Sequence, residues 1–176
     1  MERINIRIFG NAAEPGAAIP VFHSWIQQNL CPELLIDVVD YRHVPGGPGV
    51  VLIGHEADYG LSQTPHGIAL TYSRKTKVEG TDAEKIAAAF QQAVIACERL
   101  HTYSFDTAVC EIIVNDRIGT PNNDVNWDAL QKAVTEVFGH HIEIIRKGEP
   151  RSRLTALVSS KTDPAVSLRR QTVAAH

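Results

Sequence analysis

The segment His43 to Tyr59, HVPGGPGVVLIGHEADY, constrains the fold more than any other stretch of this chain. It opens with glycines at 46, 47 and 49 and prolines at 45 and 48. Proline fixes φ and glycine takes up conformations that a Cβ forbids, so this is a shaped turn and not a flexible linker. Val50 to Ile53 follow without a polar break and read as a strand buried on both faces. Gly54 then lets the backbone bend before His55 and Glu56, placing a base and a carboxylate at the end of what reads as a central strand.

The remaining elements are read from periodicity. Ile4, Ile6 and Ile8 alternate with Asn5, Arg7 and Phe9, giving a strand with one buried face that ends at Gly10. Pro20 suits the first turn of a short helix with Ile19, Phe22, Ile26 and Leu30 on one stripe, stopped by Pro32. Residues 34–41, 50–55 and 68–73 read as further strands. Thr81 and Glu84 form a capping box, and Ile86, Phe90, Val94, Cys97 and Leu100 carry one helix over 82–102. Ala108, Cys110, Ile112 and Val114 alternate in the next strand. Trp127, Leu130, Val134 and Val137 then recur at helical spacing up to a stop at Gly139. Residues 142–147 and 153–160 read as a hairpin, and Asp163-Pro164 starts a short helix over 165–174.

These elements imply an α+β fold in one domain spanning 1–176, a mixed sheet of about six or seven strands covered mainly on one face by three helices. Two halves, 1–80 and 104–160, repeat the order strand, Trp-bearing helix, strand, strand on either side of the 82–102 helix, with 161–176 as a C-terminal tail. A βαββ pseudo-repeat would put both halves in one sheet, each leading strand parallel to the strand after its helix.

Composition excludes several classes. A net charge of −3, from 17 basic and 20 acidic residues, argues against a nucleic-acid-binding domain. MERINIRIFG has no apolar block of the kind found in secretion signals, and no run is long enough to span a membrane. Three cysteines, Cys31, Cys97 and Cys110, lie far apart in apolar surroundings and read as reduced thiols. The expectation is a cytoplasmic protein.

Candidate chemistry gathers on loops. His55 is the candidate general base, Glu56 or Asp58 would orient it, and Tyr59 would donate to a developing oxyanion. His43 and His66 fall nearby, but HEADY lacks the second histidine of a helical metal motif, and His55 and Glu56 point to opposite faces of a strand. No metal set or cofactor is assigned. No nucleophile sits in a recognisable setting, which weighs against catalysis. The 44–49 loop lacks both phosphate-binding fingerprints. Arg146, Lys147, Arg151 and Arg153 form a basic cluster able to bind carboxylate, phosphate or an acidic partner.

Two principal readings of function stand. The first is a non-catalytic partner-binding module or homo-oligomer with a functional surface around residues 43–59. The alternative is a small enzyme or small-molecule-binding protein with a His/Glu site at the strand end, built on His55, Glu56 and Tyr59 with His43 and Asp58 beside them. Anion binding at the basic cluster is a third.

Overall fold

The computed structural model describes residues 1–11 and 13–160. The tail 161–176, with the helix expected over 165–174, lies outside the described residues. In chain order the elements are β1 (Ile4–Gly10), a 3-10 turn (Pro15–Ala17), α1 (Ala18–Gln27), β2 (Leu35–Asp40), β3 (Val50–Gly54), β4 (Ala57–Thr64) and β5 (Gly67–Arg74). They continue with α2 (Asp82–Arg99), β6 (Phe105–Val114), α3 (Asp124–Phe138), β7 (Ile142–Lys147) and β8 (Leu154–Ser160). The eight strands form one sheet in the order β2-β3-β4-β5-β1-β6-β8-β7.

Every neighbouring pair in that sheet is antiparallel, so the expected mixed sheet of six or seven strands is corrected to an antiparallel sheet of eight. The additional strand is β4. Ala57, Tyr59 and Leu61 alternate inward with Asp58, Gly60 and Ser62 outward, so the polar residues that suggest a loop are one face of a strand. Directions alternate across the sheet, so β1 and β2 run the same way with three strands between them, and β6 and β7 run the same way around β8. Both halves thus leave a central strand, cross through a helix to a sheet edge and return by hairpins. The first half carries an extra hairpin that the second lacks.

The helices share one face. Ile6 pairs with Tyr72 on one side and Ile112 on the other, and Ile8 pairs with Leu70 and Cys110; all six are buried beneath α2, which packs over β1, β5 and β6. α1 lies over β2 and β3, and α3 over β7 and β8. The opposite face is polar through the middle of the sheet, where Arg7 donates to Thr71 Oγ1 at 3.3 Å and to Glu111 Oε2 at 3.2 Å. This one-sided cover corrects the reading of Val50–Ile53. Val50 and Leu52 are fully buried, whereas Val51 and Ile53 are only half-buried on the uncovered face. Nor is β3 central: it lies second from the β2 edge, and β5 and β1 hold the middle.

Local signals are realised where the sequence states them most directly. The Thr81 hydroxyl accepts from the Glu84 N–H at 3.2 Å and the Glu84 carboxylate from the Thr81 N–H at 2.7 Å, which starts α2 as a capping box. α2 ends at Arg99, short of the expected 102, with Leu100 as its cap. α3 begins on an Asn123 cap and ends at Gly139, where φ is +80°. Among the described residues, no helix is long and apolar enough to cross a membrane.

Candidate functional site

A cavity of about 240 Å³ opens between α2 and the loop that follows α1. Its floor is Ile4 and the ring of Tyr72. One wall is α2, through Lys85, Ala88 and Ala89, and the other is the Pro32-Glu33 loop after α1. Glu56, Arg74 and Thr76 line its polar end.

Glu33 organises that end. Its Oε2 accepts the backbone N–H groups of Glu56 at 2.9 Å and Ala57 at 2.8 Å, and its Oε1 accepts the Tyr59 hydroxyl at 3.0 Å. One carboxylate therefore caps the β3–β4 turn and fixes a buried phenol. Tyr59 belongs to a chain of edge-to-face rings running from α1 into β5: Phe22 to Trp25 at 5.2 Å, Trp25 to Tyr59 at 6.2 Å, and Tyr59 to Tyr72 at 5.3 Å. The chain closes on Arg74, whose Nη1 donates to the Tyr72 hydroxyl at 3.3 Å while Nη2 pairs with Glu56 Oε2 at 2.8 Å.

Burial raises the pKa of both phenols, with Cys31 and Glu33 adding to the effect at Tyr59, so both stay protonated at neutral pH. At Arg74 burial opposes the charge, but the Tyr72 hydroxyl and Glu56 outweigh it and the pKa lies above the ordinary value. Two polar atoms in this corner, Arg74 Nε and Thr76 Oγ1, are buried without a hydrogen-bond partner. Native structures leave few such groups unpaired, because each costs about 1–3 kcal/mol.

The residues expected to act together are divided among three places. Glu56 and Tyr59 converge on Glu33, Glu56 through its backbone and Tyr59 through its hydroxyl, and the Glu56 side chain lines the cavity. Asp58 points to the uncovered face, where it pairs with Lys75 at 2.7 Å and accepts the Gly54 N–H. The side chains of His43, His55 and His66 are exposed, and His55 joins the fold through its backbone N–H, which donates to Leu34 O at 2.8 Å. Among the described residues, no group of three or more His, Cys, Asp or Glu is arranged to hold a metal ion.

The basic cluster is likewise dispersed. Arg146 donates to Asn122 Oδ1 at 2.9 Å and Asp124 Oδ1 at 2.7 Å and lies over the Trp127 ring, tying β7 to the start of α3. Arg151 is exposed in the hairpin turn, and Arg153 lines a polar groove on the uncovered face.

Sequence reasoning missed Glu33, Tyr72, Arg74, Thr76 and Lys85. One signal was available: Ile68, Leu70, Tyr72 and Arg74 share strand parity, and a charged residue ending a buried apolar row marks a place where the core face becomes polar. Comparison with protein-family models, with curated proteins and with solved structures gives no match.

Proposed function

We propose that the protein binds a small molecule in the cavity between α2 and the Pro32-Glu33 loop. The observation that carries this is a recess floored by Ile4 and Tyr72, with Ala88 and Ala89 on its α2 wall and a polar rim that includes Arg74 and Thr76, each of which carries a buried polar atom without a partner. An apolar recess with a few convergent polar groups is the usual form of a ligand site. At about 240 Å³ the space lies below the roughly 300–1,000 Å³ common for such sites, which selects a compact ligand. The site keeps Glu56 from the sequence reading, has Tyr59 behind its wall on Glu33, and replaces His55 with Arg74 as its central polar group.

The test is native mass spectrometry of gently purified protein beside an Ala89→Phe variant. Ala89 is 5% exposed on the α2 wall, so a phenyl ring there fills the cavity. A small molecule retained by the parent and lost by the variant supports the reading. Retention by both would place the ligand elsewhere.

A second reading, self-association or partner binding, shares only the start of the 43–59 surface and is supported by a different observation. Of the seven large hydrophobic residues left exposed among the described residues, Leu34, Ile36, Tyr41 and Val44 fall within one segment in and around the edge strand β2. Clustered exposed apolar residues mark interaction surfaces. Sedimentation analysis of the parent and of Leu34→Asp/Ile36→Lys tests it: an assembly that the double variant dissolves supports this reading, and a parent monomeric at high concentration removes self-association.

A further inference from the structure

Resting on the cavity reading, we infer that the ligand is a small monocarboxylic acid with an apolar body, and that Glu56 occupies the ligand carboxylate's place until it arrives. The argument starts from the guanidinium. Nε and Nη2 of an arginine lie on one edge and together present the parallel pair of N–H groups that a carboxylate accepts as a fork. At Arg74 that edge is half used. Glu56 takes Nη2 at 2.8 Å with one oxygen, and Nε is buried with no partner. Nε has almost no accessible surface while Glu56 is in place, so a carboxylate in the cavity reaches this edge only as the Glu56 side chain swings out, and would then take both N–H groups.

Glu56 is suited to leave. Its backbone is pinned at both ends, with its N–H donated to Glu33 and its carbonyl accepting from Lys75 N at 2.8 Å. The side chain can therefore rotate out without disturbing the turn. Its carboxylate sits at the rim with 45% of the side chain exposed, and the partner Arg74 side chain is 27% exposed. A partly exposed pair held through one oxygen is weak, since such ion pairs contribute about 0–1 kcal/mol. The residue it would release, Arg74, remains anchored by Tyr72.

The rest of the cavity fits the other end of such an acid. Ile4, Tyr72, Ala88 and Ala89 offer apolar contact, and the remaining charges of the lining are Lys85 on the α2 wall and Glu2, whose carboxylate is held by Lys77 at 2.9 Å. Glu33 does not compete for the Arg74 edge, because its two oxygens already accept from Tyr59, Glu56 and Ala57.

Titration calorimetry with hexanoate and phenylacetate, and with their neutral amides hexanamide and phenylacetamide, tests the inference. At least one carboxylate should bind about ten-fold or more tightly than its amide, the difference expected for a charge-assisted fork. Glu56→Gln, which weakens the competitor without changing its shape, should tighten carboxylate binding about three- to ten-fold and leave the amide unchanged. Arg74→Lys keeps the charge but removes the fork and should weaken carboxylate binding about ten-fold, with its melting curve confirming that it folds. Amides binding as well as carboxylates, or Glu56→Gln leaving carboxylate affinity unchanged, would overturn this inference while leaving the cavity as a ligand site. Binding that persists undiminished in Ala89→Phe, or the absence of binding by all four probes together with no ligand retained on purification, would overturn both.

Discussion

The Tyr59 hydroxyl donates to Glu33 across 3.0 Å, joining a phenol in the core of β4 to a carboxylate on the loop after α1. The contact lets the first helix and the β3–β4 hairpin share a polar anchor, because the same carboxylate also accepts the Glu56 and Ala57 N–H groups. Glu33→Ala strands three donors at once and should cost about 2–4 kcal/mol in urea unfolding, with Glu33→Gln milder because its carbonyl still accepts. Tyr59→Phe should cost about 1–2 kcal/mol in the parent and distinctly less in the Glu33→Ala background. Additive losses in that cycle would show that the contact is not what couples the two segments.

Alkaline pH should weaken the fold through the same phenols. Burial raises the folded pKa of Tyr59 and Tyr72 above the ordinary value of 10. A raised folded pKa means that the stabilisation is complete below pH 10 and is lost as the pH climbs beyond it, because the unfolded chain ionises first. Phenolate absorbance from these residues should therefore appear together with loss of the near-ultraviolet circular dichroism signal. The variant Tyr59→Phe/Tyr72→Phe should show a shallower alkaline decline than the parent, and an identical decline would contradict this account.

The helix ends were legible because their signals are local. Thr81, Glu84 and Gly139 each act within a few residues, and the structure uses the Thr81–Glu84 box and the Gly139 stop as the sequence states them. β4 was not legible, since Asp58, Gly60 and Ser62 look like loop residues until a sheet with one uncovered face gives them somewhere to point. The site was half legible for the same reason. Glu56 and Tyr59 stand out by chemistry, but Glu33 is 23 positions before Glu56, and Arg74 comes from a strand two removed from β3 in the sheet. Adjacency in sequence put His55 beside Glu56, whereas the hairpin turn sends the imidazole into solvent and the carboxylate to Arg74.

Acid should act through Arg42. Its guanidinium holds Asp40 through Nε at 2.9 Å and Nη2 at 2.7 Å, and reaches Glu14 through Nη1 at 2.7 Å. Hydrogen bonding from Arg42 lowers the Asp40 pKa from 3.8 to about 2 and lowers that of Glu14 as well. For a depressed folded pKa, the stabilisation is present above the unfolded value of 3.8 and disappears as the pH falls toward about 2. All three groups face solvent, so the effect is small and weakens with salt. Arg42→Met should reduce the loss in thermal midpoint between about pH 5 and about pH 2 at low salt, and should lose that advantage at about 1 M salt. A variant with the parent's full acid dependence would assign the acid limb to other carboxylates.

The glycines of the 44–49 loop are not equivalent, although the sequence presents them as one run. Gly46 and Gly49 both have positive φ, +68° and +73°, so each favours glycine on backbone grounds. They differ in surroundings. A Cβ on Gly46 would meet open space, whereas one on Gly49 would collide with the Leu61 carbonyl and the Ser62 backbone of β4. Gly49 also accepts the Tyr41 N–H at 2.7 Å, so it cannot move away without releasing the end of β2. Gly46→Ala should therefore cost about 1 kcal/mol, the price of the conformation alone. Gly49→Ala should cost about 3 kcal/mol or more, because strain and a steric clash add. Urea titration of the two single variants gives the comparison directly, and equal losses would mean that β4 does not hold this loop by close backbone approach.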